Sequence, residues 1–369
     1  MKRYFNCIYV DGTFYKFGGI GRYYESLTKE LAKKGFYIIT TVPKKLTADF
    51  EKEFAGIPNI TPIFVNYEKF SIKGFFEHSR LLKSLEKKID LFFYPHINLP
   101  LYIPKNTIVT IHDLRPLTEY WDRSLLKKQI FKFYLYRAIK HSQKIIAISQ
   151  VTRNDLVKYF PETEKKIDII YEYIDDKFLN KKESKRVIKE SYILFVGNRK
   201  RHKNLKNLVL AFDKIKEEIG VKLVIAGAKD KNINQKDEIN LLVDKLNLKD
   251  YVIEIIKPDD ETLINLYKYA ELFVFPSLYE GFGLPPLEAI ACGCPVIASN
   301  IPILKEILGE EIACFDPYDP DNIAKEIKNA LLNDSKKRKL LEIGEKRLKI
   351  FDKDKIIQQY INLFKEVIR

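Results

Sequence analysis

The spacing of apolar residues divides this chain into short buried strands that alternate with amphipathic helices. Short, continuous apolar runs that end in glycine, proline or polar residues predict strands buried on both faces of a parallel sheet. The runs in the first half are 5–10, 37–42, 91–95, 107–111 and 145–149. The runs in the second half are 192–196, 222–227, 251–256, 272–275 and 296–298. This alternation predicts an α/β fold.

Helical periodicity fills the gaps between several of these strands. The predicted helices are 24–34, 150–160, 208–218, 260–270, 321–332 and 353–368. Gly35 ends the first of them, and Ser149 is a suitable N-cap for the second. Because 369 residues exceed what one core usually spans, we expect two domains. The charged, aperiodic segment 177–189 is predicted to connect them.

The most informative local pattern is a strand, loop, helix and strand at 272–299. The loop contains Glu280, Gly281 and Gly283, and Glu288 lies one turn into the helix that follows. A helix N-terminus offers N–H groups and the positive end of its dipole to an anion. Two carboxylates at opposite ends of one loop suit hydroxyl groups at two places on an elongated ligand. A solvated glutamate beside a structural turn is the alternative interpretation.

The segment from Glu280 to Glu288 resembles the Glu-x7-Glu signature of family 4 of the GT-B glycosyltransferases, which use nucleotide sugars and retain anomeric configuration. The resemblance implies that Glu280 holds hydroxyls of the donor sugar and that Glu288 holds the ribose hydroxyls. It also implies that the sugar and phosphate pocket is lined by the N–H groups of Gly281, Phe282, Gly283 and Leu284.

The resemblance covers nearly the whole chain and implies a GT-B fold, in which two Rossmann-like domains face each other across a cleft. We expect an N-terminal, acceptor-side domain at 1–178 and a nucleotide-sugar-binding domain at 179–350. The C-terminal helix, within 351–369, is expected to pack back on the first domain.

Two features of the first half resemble the same family. Gly18, Gly19 and Gly21 form a glycine cluster between the first strand and the first helix, and Gly19 is expected to approach the donor phosphates from the opposite domain. His112 and Asp113 follow the strand 107–111. The resemblance implies that His112 is a wall of the catalytic pocket and contacts the transferred sugar, with Asp113 able to orient the ring. A packed or capping histidine is the alternative.

Cations that follow the strand 192–196 form a predicted diphosphate clamp. By resemblance, an arginine and a lysine here neutralise the leaving diphosphate. Lys203 matches the family lysine, and Arg199 is the first candidate for the arginine, with Arg201 in reserve, because His202 stands where the family often has arginine. Without the resemblance, a solvated basic loop is the simpler interpretation.

The sequence departs from the family at two further places. Glu172 and Tyr173 stand where an Asn-Gly pair is usual, and Ile255 stands where glycine is frequent. These differences leave the donor contacts at 172–173 and the recognition of the base undefined.

The net charge of +14 is concentrated in the first half. Residues 1–180 contain 30 Lys and Arg against 20 Asp and Glu, while the remainder contains 34 against 30. Such a balance favours an anionic partner, either nucleic acid, an anionic membrane surface or a phosphate-bearing substrate, although a compositional bias toward lysine explains it equally simply. Two segments, 70–83 and 121–144, mix aromatic residues with cations and suit either a bilayer surface or a half-buried helix.

The remaining composition favours a reducing compartment. The four cysteines, Cys7, Cys292, Cys294 and Cys314, are too scattered for a disulfide framework. Neither an N-terminal signal nor an apolar stretch of membrane-spanning length is visible. We therefore expect a cytoplasmic protein that can attach peripherally to the inner face of the cell membrane.

Together these features predict a retaining, metal-independent hexosyltransferase of surface polysaccharide synthesis. The residue pattern of the first half resembles that of mannosyltransferase-like members, so GDP-mannose is the first donor candidate, with UDP- and dTDP-sugars as alternatives. The expected acceptor is a glycan or a glycan on a lipid diphosphate. We expect no metal and no cofactor beyond the donor. The competing hypothesis is a basic nucleic-acid-binding protein or a non-catalytic scaffold of the same fold.

Overall fold

The computed structural model describes residues 6–121, 124–180, 185–228 and 237–368. Among them two compact units are distinguished. The first contains the chain up to Leu117, residues 124–172 and the segment from Lys353, and the second contains Tyr173–Asp352 together with 118–121. Each unit is built on one all-parallel sheet, which confirms the predicted α/β class with two Rossmann-like units.

The sheet of the first unit has seven strands in the order β3-β2-β1-β4-β5-β6-β7. The strands are β1 Cys7–Asp11, β2 Tyr37–Pro43, β3 Ile60–Val65, β4 Leu91–Tyr94, β5 Thr107–Ile111, β6 Lys144–Ala147 and β7 Ile167–Ile169. Strand β1 lies inside the sheet, where Ile8 pairs with Ile38 on one side and Leu91 on the other. Every residue of β1, β4 and β5 is buried, as continuous apolar runs predict.

Five helices of the first unit precede the linker. They are α1 Gly18–Lys33, α2 Thr47–Glu53, α3 Ile72–Leu85, α4 Leu125–His141 and α5 Gln150–Tyr159. The side chain of Ser149 accepts a hydrogen bond from the Thr152 N–H, so it is the N-cap that its sequence position predicts.

The sheet of the second unit has six strands in the order β10-β9-β8-β11-β12-β13. The strands are β8 Tyr192–Val196, β9 Lys222–Gly227, β10 Val252–Ile256, β11 Leu272–Phe275, β12 Val296–Ser299 and β13 Ala313–Phe315. The helices are α6 Asp176–Leu179, α7 Leu205–Ile219, α8 Glu238–Lys245, α9 Asp260–Tyr269, α10 Leu284–Ala291, α11 Pro302–Leu308, α12 Pro320–Leu332 and α13 Asp334–Leu348.

The last helix, α14 Lys353–Ile368, packs on the first unit as expected. Its Phe364 ring lies 6.1 Å from Phe36 and 5.2 Å from Phe93. The hydroxyl of Tyr360 is hydrogen-bonded to that of Tyr23 at 2.7 Å. Buried aromatic contacts of this kind stabilise the docking of the helix through the apolar area removed from water.

Three sequence predictions about elements need correction. The first helix starts at Gly18 rather than at 24, so the glycine cluster forms its first turn; the low helix propensity of glycine concealed it. Residues 145–149, the last strand predicted in the first half, are not the last strand of their sheet, because Ile167–Ile169, which was not predicted as a strand, pairs with β6. The basic segment 121–144 is a helix only over Leu125–His141, and its Arg123 lies outside the described residues, as do 181–184 of the connector.

Within the described parts of the chain, helices that combine the length and the apolarity needed to cross a bilayer are absent.

Candidate functional site

The second sheet has a topological switch point between β8 and β11. From β8 the next strand, β9, lies on one side, and from β11 the next strand, β12, lies on the other side. Loops that leave the carboxyl ends of such a strand pair diverge and leave a crevice, which is where open α/β sheets bind ligands. The two loops here are 197–204 and 276–283.

An ion pair joins these two loops. The Lys203 Nζ lies 2.5 Å from the Glu280 Oε1, although the residues are 77 positions apart. Each side chain is 13 % exposed, and the same ammonium lies 5.2 Å from the centre of the Phe275 ring. The structure therefore brings together two residues that the sequence assigned to the leaving diphosphate and to the donor sugar.

Asn204, whose role the sequence analysis did not identify, fixes the Lys203 loop. It is 7 % exposed and has a left-handed backbone conformation with φ of 56°. Its Nδ2 donates to the carbonyls of Pro276 and Pro317 at 3.0 and 2.7 Å. The Leu278 N–H also donates to the His202 carbonyl at 2.8 Å. Asparagine tolerates the left-handed region, so its place between a strand and a helix was the available signal.

In the glycine loop before α10, only a short run of residues has backbone N–H groups that an anion could use. Gly283 has φ of +130°, and a Cβ added to it would lie 3.1 Å from Leu304, so only glycine fits without strain. Pro285 and Pro286 follow directly in the first turn and carry no N–H. Residues 285 and 286 are thereby excluded as donors to an anion at this helix end, and the role of the N–H groups of 281–284 stays a prediction.

The side chain of Phe282 is buried and packs against another aromatic ring. It is 3 % exposed, and its ring meets that of Phe351 edge-on at 5.5 Å. Phe282 can contribute only its backbone to a ligand while this packing persists, which is the contribution predicted for it.

Glu288 is buried one turn inside α10. It is 6 % exposed, and its Oε2 accepts a hydrogen bond from the Tyr267 hydroxyl at 3.0 Å. A carboxylate held in this way has a fixed orientation and retains acceptor capacity for the hydroxyls of a ribose. The assignment of Glu288 to the ribose stays a prediction, and Tyr267 is a positioning residue that the sequence did not indicate.

We expect Tyr267→Phe to weaken nucleotide binding several-fold and to lower the free energy of unfolding by about 1.5–3 kcal/mol, because it removes a charge-assisted hydrogen bond. Isothermal titration with nucleoside diphosphates and denaturant titration measure the two effects. Tyr192→Phe is the matched control, since its buried hydroxyl donates to the Leu266 carbonyl at 2.8 Å. That control should lose stability and keep nucleotide affinity; equal losses of affinity in both variants would contradict the role of Tyr267.

Arg199 occupies a different environment from Lys203. Its guanidinium is paired with Asp237 and, at 2.9 Å, with Glu254, and its side chain is 4 % exposed. Two carboxylates therefore already neutralise the charge that was assigned to the diphosphate. Arg201, the reserve candidate, is exposed in the short turn that precedes α7. The arginine half of the clamp stays a prediction for both residues.

His112 lies in the first unit, directly after β5. Its Nε2 is 2.9 Å from the Pro95 carbonyl oxygen, and its Nδ1 is 3.3 Å from the Glu172 Oε1. The Tyr23 ring packs edge-on against it at 4.8 Å. Glu172 is one of the positions where the sequence departs from the family, and here it holds the histidine ring.

Asp113 has another role than the one expected. Its Oδ1 accepts a hydrogen bond from the Arg115 N–H at 2.9 Å and so stabilises the turn at 115–117. Orientation of the His112 ring comes from Glu172 and Pro95. Sequence proximity favoured Asp113, whereas the actual partner is 60 positions away, at the end of the first unit.

The surroundings of His112 favour its protonated form. Burial lowers its pKa, but the hydrogen bond and charge of Glu172, the Pro95 carbonyl and the charge of Asp113 outweigh burial, and the pKa is raised above the usual histidine value. Protonation of His112 therefore stabilises the folded state. This stabilisation is fully present below about pH 6.5, the pKa of histidine in the unfolded chain, and it is lost as the pH rises through the pKa in the folded chain.

We therefore expect the stability advantage of the wild type over Glu172→Gln to be larger at pH 6 than at pH 8.5. Chemical denaturation at both pH values measures it. Glu162→Gln, at an exposed position of the same unit, is the control and should show a difference that does not change with pH. A constant gap for Glu172→Gln would show that the charge of this pair does not contribute to folding.

Gly19 lies in the first turn of α1 and is exposed. A Cβ placed on it would meet no atom of the described chain within 4 Å, so the packing of the protein does not require glycine there. Glycine at this position would also let a ligand come close to the backbone. The predicted phosphate contact stays a prediction.

Comparison with known proteins identifies the family. The model for glycosyltransferase family 4 matches residues 17–178, and the model for glycosyl transferases group 1 matches 176–347. The chain belongs to this family of glycosyltransferases, and its fold is GT-B.

Curated relatives and a solved structure agree. The O-antigen chain mannosyltransferase RfbU of Salmonella typhimurium is 31% identical over 63% of this chain and 63% of its own length. The serotype-specific mannosyltransferase WbdA of Escherichia coli is 29% identical over 64% of this chain, which spans 31% of WbdA. The chain thus spans less than two thirds of the length of each of these relatives. Sucrose-phosphate synthase from Thermosynechococcus elongatus has the same fold, with a TM-score of 0.78 at 21% identity over 98% of this chain and 99% of that one.

Proposed function

We propose that this protein is a glycosyltransferase that moves a hexose, mannose in the first instance, from a nucleotide sugar to a glycan acceptor in surface polysaccharide synthesis. The observation that carries the proposal is the Lys203–Glu280 pair at the switch point of the second sheet, beside the Gly283 turn. The relatives named as O-antigen and serotype-specific mannosyltransferases support the choice of sugar and pathway.

In this proposal Lys203 stabilises the leaving group. Transfer of the hexose breaks the bond between its anomeric carbon and the diphosphate, so negative charge grows on the diphosphate oxygens. An ammonium that is already positioned and only 13 % exposed stabilises that charge without reorganisation of solvent. The N–H groups of 281–284 add donors at the same end of α10.

The two glutamates hold the donor at its two ends. Glu280 leaves Lys203 when the diphosphate arrives and accepts hydroxyls of the sugar. Glu288, which Tyr267 orients, accepts the ribose hydroxyls. His112 keeps the role that the resemblance implies, contact with the transferred sugar, when one of its two ring hydrogen bonds is exchanged for a hydroxyl.

We propose retention of configuration by attack of the acceptor on the same face that the diphosphate leaves, with a phosphate oxygen taking the acceptor proton. Glu280 is not assigned as a nucleophile, because its proposed role is to accept the hydroxyls of the sugar. The positive charge of Lys203 substitutes for a metal at the diphosphate, so the reaction is proposed to proceed in EDTA. GDP is the first candidate for the nucleoside diphosphate, and UDP and dTDP are the alternatives.

A transfer assay tests the proposal. The full chain is incubated in EDTA with GDP-mannose, UDP-glucose or a dTDP-hexose and with short glycans on a synthetic lipid diphosphate. Mass spectrometry detects the extended glycolipid, and proton NMR of the anomeric signal gives its configuration. An α-linked product from an α-linked donor supports the mechanism. Inverted product would overturn retention, and the absence of both transfer and donor hydrolysis would overturn the enzyme assignment.

Helix α4 supports a second part of the proposal, attachment to an anionic membrane from the cytoplasmic side. Its sequence, Leu125–His141, contains five lysines and arginines and no acidic residue. Leu125, Leu126 and Phe133 are 78, 71 and 51 % exposed. Exposed apolar side chains beside a row of cations match the apolar boundary and anionic headgroups of a bilayer.

We expect replacement of Lys127, Lys128 and Lys132 by glutamine to weaken binding to phosphatidylserine vesicles on the order of 100-fold, at about 1 kcal/mol for each cation. Vesicle flotation at low and high salt measures it. Substitution of three exposed lysines of the second unit, Lys339, Lys346 and Lys349, is the control for net charge. Equal losses in the two triple variants would assign the binding to total charge instead of α4.

A further inference from the structure

Three buried hydroxyl groups meet in the interior of the first unit. They belong to Tyr23 of α1, Thr110 of β5 and Tyr360 of α14, and none of these three residues is more than 8 % exposed. The Tyr23 hydroxyl oxygen lies 2.9 Å from the Thr110 Oγ1 and 2.7 Å from the Tyr360 hydroxyl oxygen. Two phenylalanines would supply the same rings without the cost of burying polar groups, so the paired hydroxyls favour a role in fixing the positions of these side chains.

The Tyr23 side chain is fixed at its hydroxyl end. A hydroxyl has one proton to donate and two lone pairs that accept, so the Tyr23 oxygen can serve both of its neighbours at once. Burial raises the pKa of Tyr23, so this proton is retained. Displacement of the side chain would leave buried hydroxyls unpaired, which destabilises the fold.

The ring of the same tyrosine packs against His112. The two ring centres are 4.8 Å apart, and the ring planes are nearly perpendicular, at 87°. The imidazole is also held at its two nitrogens, by the Pro95 carbonyl oxygen at 2.9 Å and by the Glu172 Oε1 at 3.3 Å. When one of these two contacts is exchanged for a hydroxyl of the sugar, as the proposed function requires, the Tyr23 ring still holds the imidazole.

Tyr360 connects this contact to the last helix. Its ring lies 6.4 Å from Phe93 and 6.1 Å from Phe364, which belong to the buried aromatic contacts that dock α14 on the first unit. Because Tyr360 is fully buried in these contacts, its hydroxyl stays beside Tyr23 only while α14 is docked. The helix, the Tyr23 ring and the imidazole therefore form one continuous series of contacts.

We propose that Tyr23 is a positioning residue for His112, and that the Tyr360 hydroxyl makes this position depend on the docking of α14. The inference rests on the proposed function, because it assumes that His112 contacts the transferred sugar. It gives the C-terminal helix a role in the reaction as well as in the stability of the first unit. Neither tyrosine has to touch the sugar for this role.

Hydrogen exchange at the His112 ring tests the position directly and needs no substrate. The ring N–H signals of His112 in proton–nitrogen NMR spectra of the full chain are identified by their loss in His112→Asn. We expect Tyr23→Phe to accelerate the exchange of these N–H protons with water about three- to tenfold, the equivalent of one hydrogen bond. Tyr23→Leu, which also removes the ring contact, should accelerate it further.

Tyr360→Phe tests the connection to α14. It should accelerate the same exchange by no more than Tyr23→Phe does, because it removes only one of the two hydroxyl contacts of Tyr23. In the double variant it should add nothing to the effect of Tyr23→Phe, since the two substitutions then act on one hydroxyl pair.

Tyr24→Phe and Tyr24→Leu are the matched controls. Tyr24 is the next residue of α1, is fully buried, and has its hydroxyl oxygen 2.8 Å from the Thr40 Oγ1. These variants should lower the melting temperature as much as the corresponding variants of Tyr23 do. Exchange at the His112 ring should match that of the wild type in both.

The two parts of the proposal can be overturned separately. Unchanged exchange in both Tyr23 variants, equal acceleration by the Tyr23 and Tyr24 variants, or unprotected ring N–H protons in the wild type would overturn the positioning role. A Tyr360→Phe protein with wild-type exchange, or an effect of Tyr360→Phe that adds fully to that of Tyr23→Phe, would overturn the connection to α14.

Transfer kinetics separate this inference from the proposed function. We expect Tyr23→Leu to lower the turnover number about 10- to 100-fold, because a small misplacement near the reacting centre is costly. The Michaelis constant for the donor should stay close to that of the wild type, since Lys203 and Glu288 are unchanged. Exchange that changes as expected in a protein without transferase activity would support the positioning of His112 and contradict the proposed function. Full activity of Tyr23→Leu beside an inactive His112→Asn would overturn the role of Tyr23 in the reaction.

Discussion

Lys203→Ala should reduce the turnover number for hexose transfer by about 10²–10³-fold, the usual effect of removing one preorganised group that stabilises charge in the transition state. The Lys203 ammonium is only 13 % exposed, so its charge is weakly screened, and it lies at the carboxyl end of β8 where a diphosphate would meet it. The Michaelis constant for the donor should rise as well, because the ground-state diphosphate also loses a cation. Steady-state kinetics over a range of donor concentrations separates the two effects.

The control for Lys203→Ala is Lys206→Ala, three residues along the chain. Lys206 is 58 % exposed and lies 3.5 Å from an exposed Glu238, an ion pair of the kind that contributes little to stability. We expect this variant to keep full activity. Because Lys203→Ala also leaves Glu280 without its partner, the melting temperature of each variant is needed. A Lys203→Ala protein that is folded and fully active would remove the basis of the site assignment.

Glu280→Gln should separate catalysis from nucleotide binding. We expect its turnover number to fall by about 10²-fold, since the sugar loses a charged acceptor beside the reacting carbon. Its affinity for the free nucleoside diphosphate should stay equal or increase, because the neutral amide no longer competes for the Lys203 ammonium 2.5 Å away. A fall in the turnover number together with an equal or higher nucleotide affinity distinguishes Glu280 from a residue that is only structural.

Isothermal titration with the nucleoside diphosphate and a transfer assay supply the two measurements for Glu280→Gln. Glu310→Gln, which alters an exposed carboxylate of the same unit, is the control and should match the wild type in both. A parallel loss of nucleotide affinity and activity would assign Glu280 to donor binding in general and contradict its selective role at the sugar.

The sequence predicts those parts of the fold that depend on local pattern. Mainly apolar runs mark β5, β8, β9 and β11 at their observed bounds, because a strand buried on both faces does not alternate between apolar and charged positions. The helix after Gly283 and its termination near Gly293 also follow from residues that are adjacent in the chain. Strand β7 was missed because three residues before a linker give too short a pattern.

The site is predictable only in part, because its supporting contacts join residues that are far apart in the sequence. Motif residues such as Lys203 and Glu280 are recognisable singly, and a shared switch point brings them together. Their supporting groups have no local signal, since Asn204 holds a carbonyl 113 positions away and Tyr267 holds Glu288 from a different helix. The carboxylates around Arg199 come from the N-cap of α8 and from β10, and Glu172, which lies beside His112, comes from the end of the first unit.

Binding of nucleoside diphosphates in EDTA tests the central claim, that the switch point of the second sheet is a donor site, most directly. A thermal-shift series with GDP, UDP, dTDP and ADP is run on the wild type and on Lys203→Ala. We predict that one nucleotide stabilises the wild type, by about 2.7 kcal/mol at a hundredfold excess over its Kd, and that Lys203→Ala loses most of this shift. The absence of a shift with every nucleotide, or an undiminished shift in Lys203→Ala, would contradict the account.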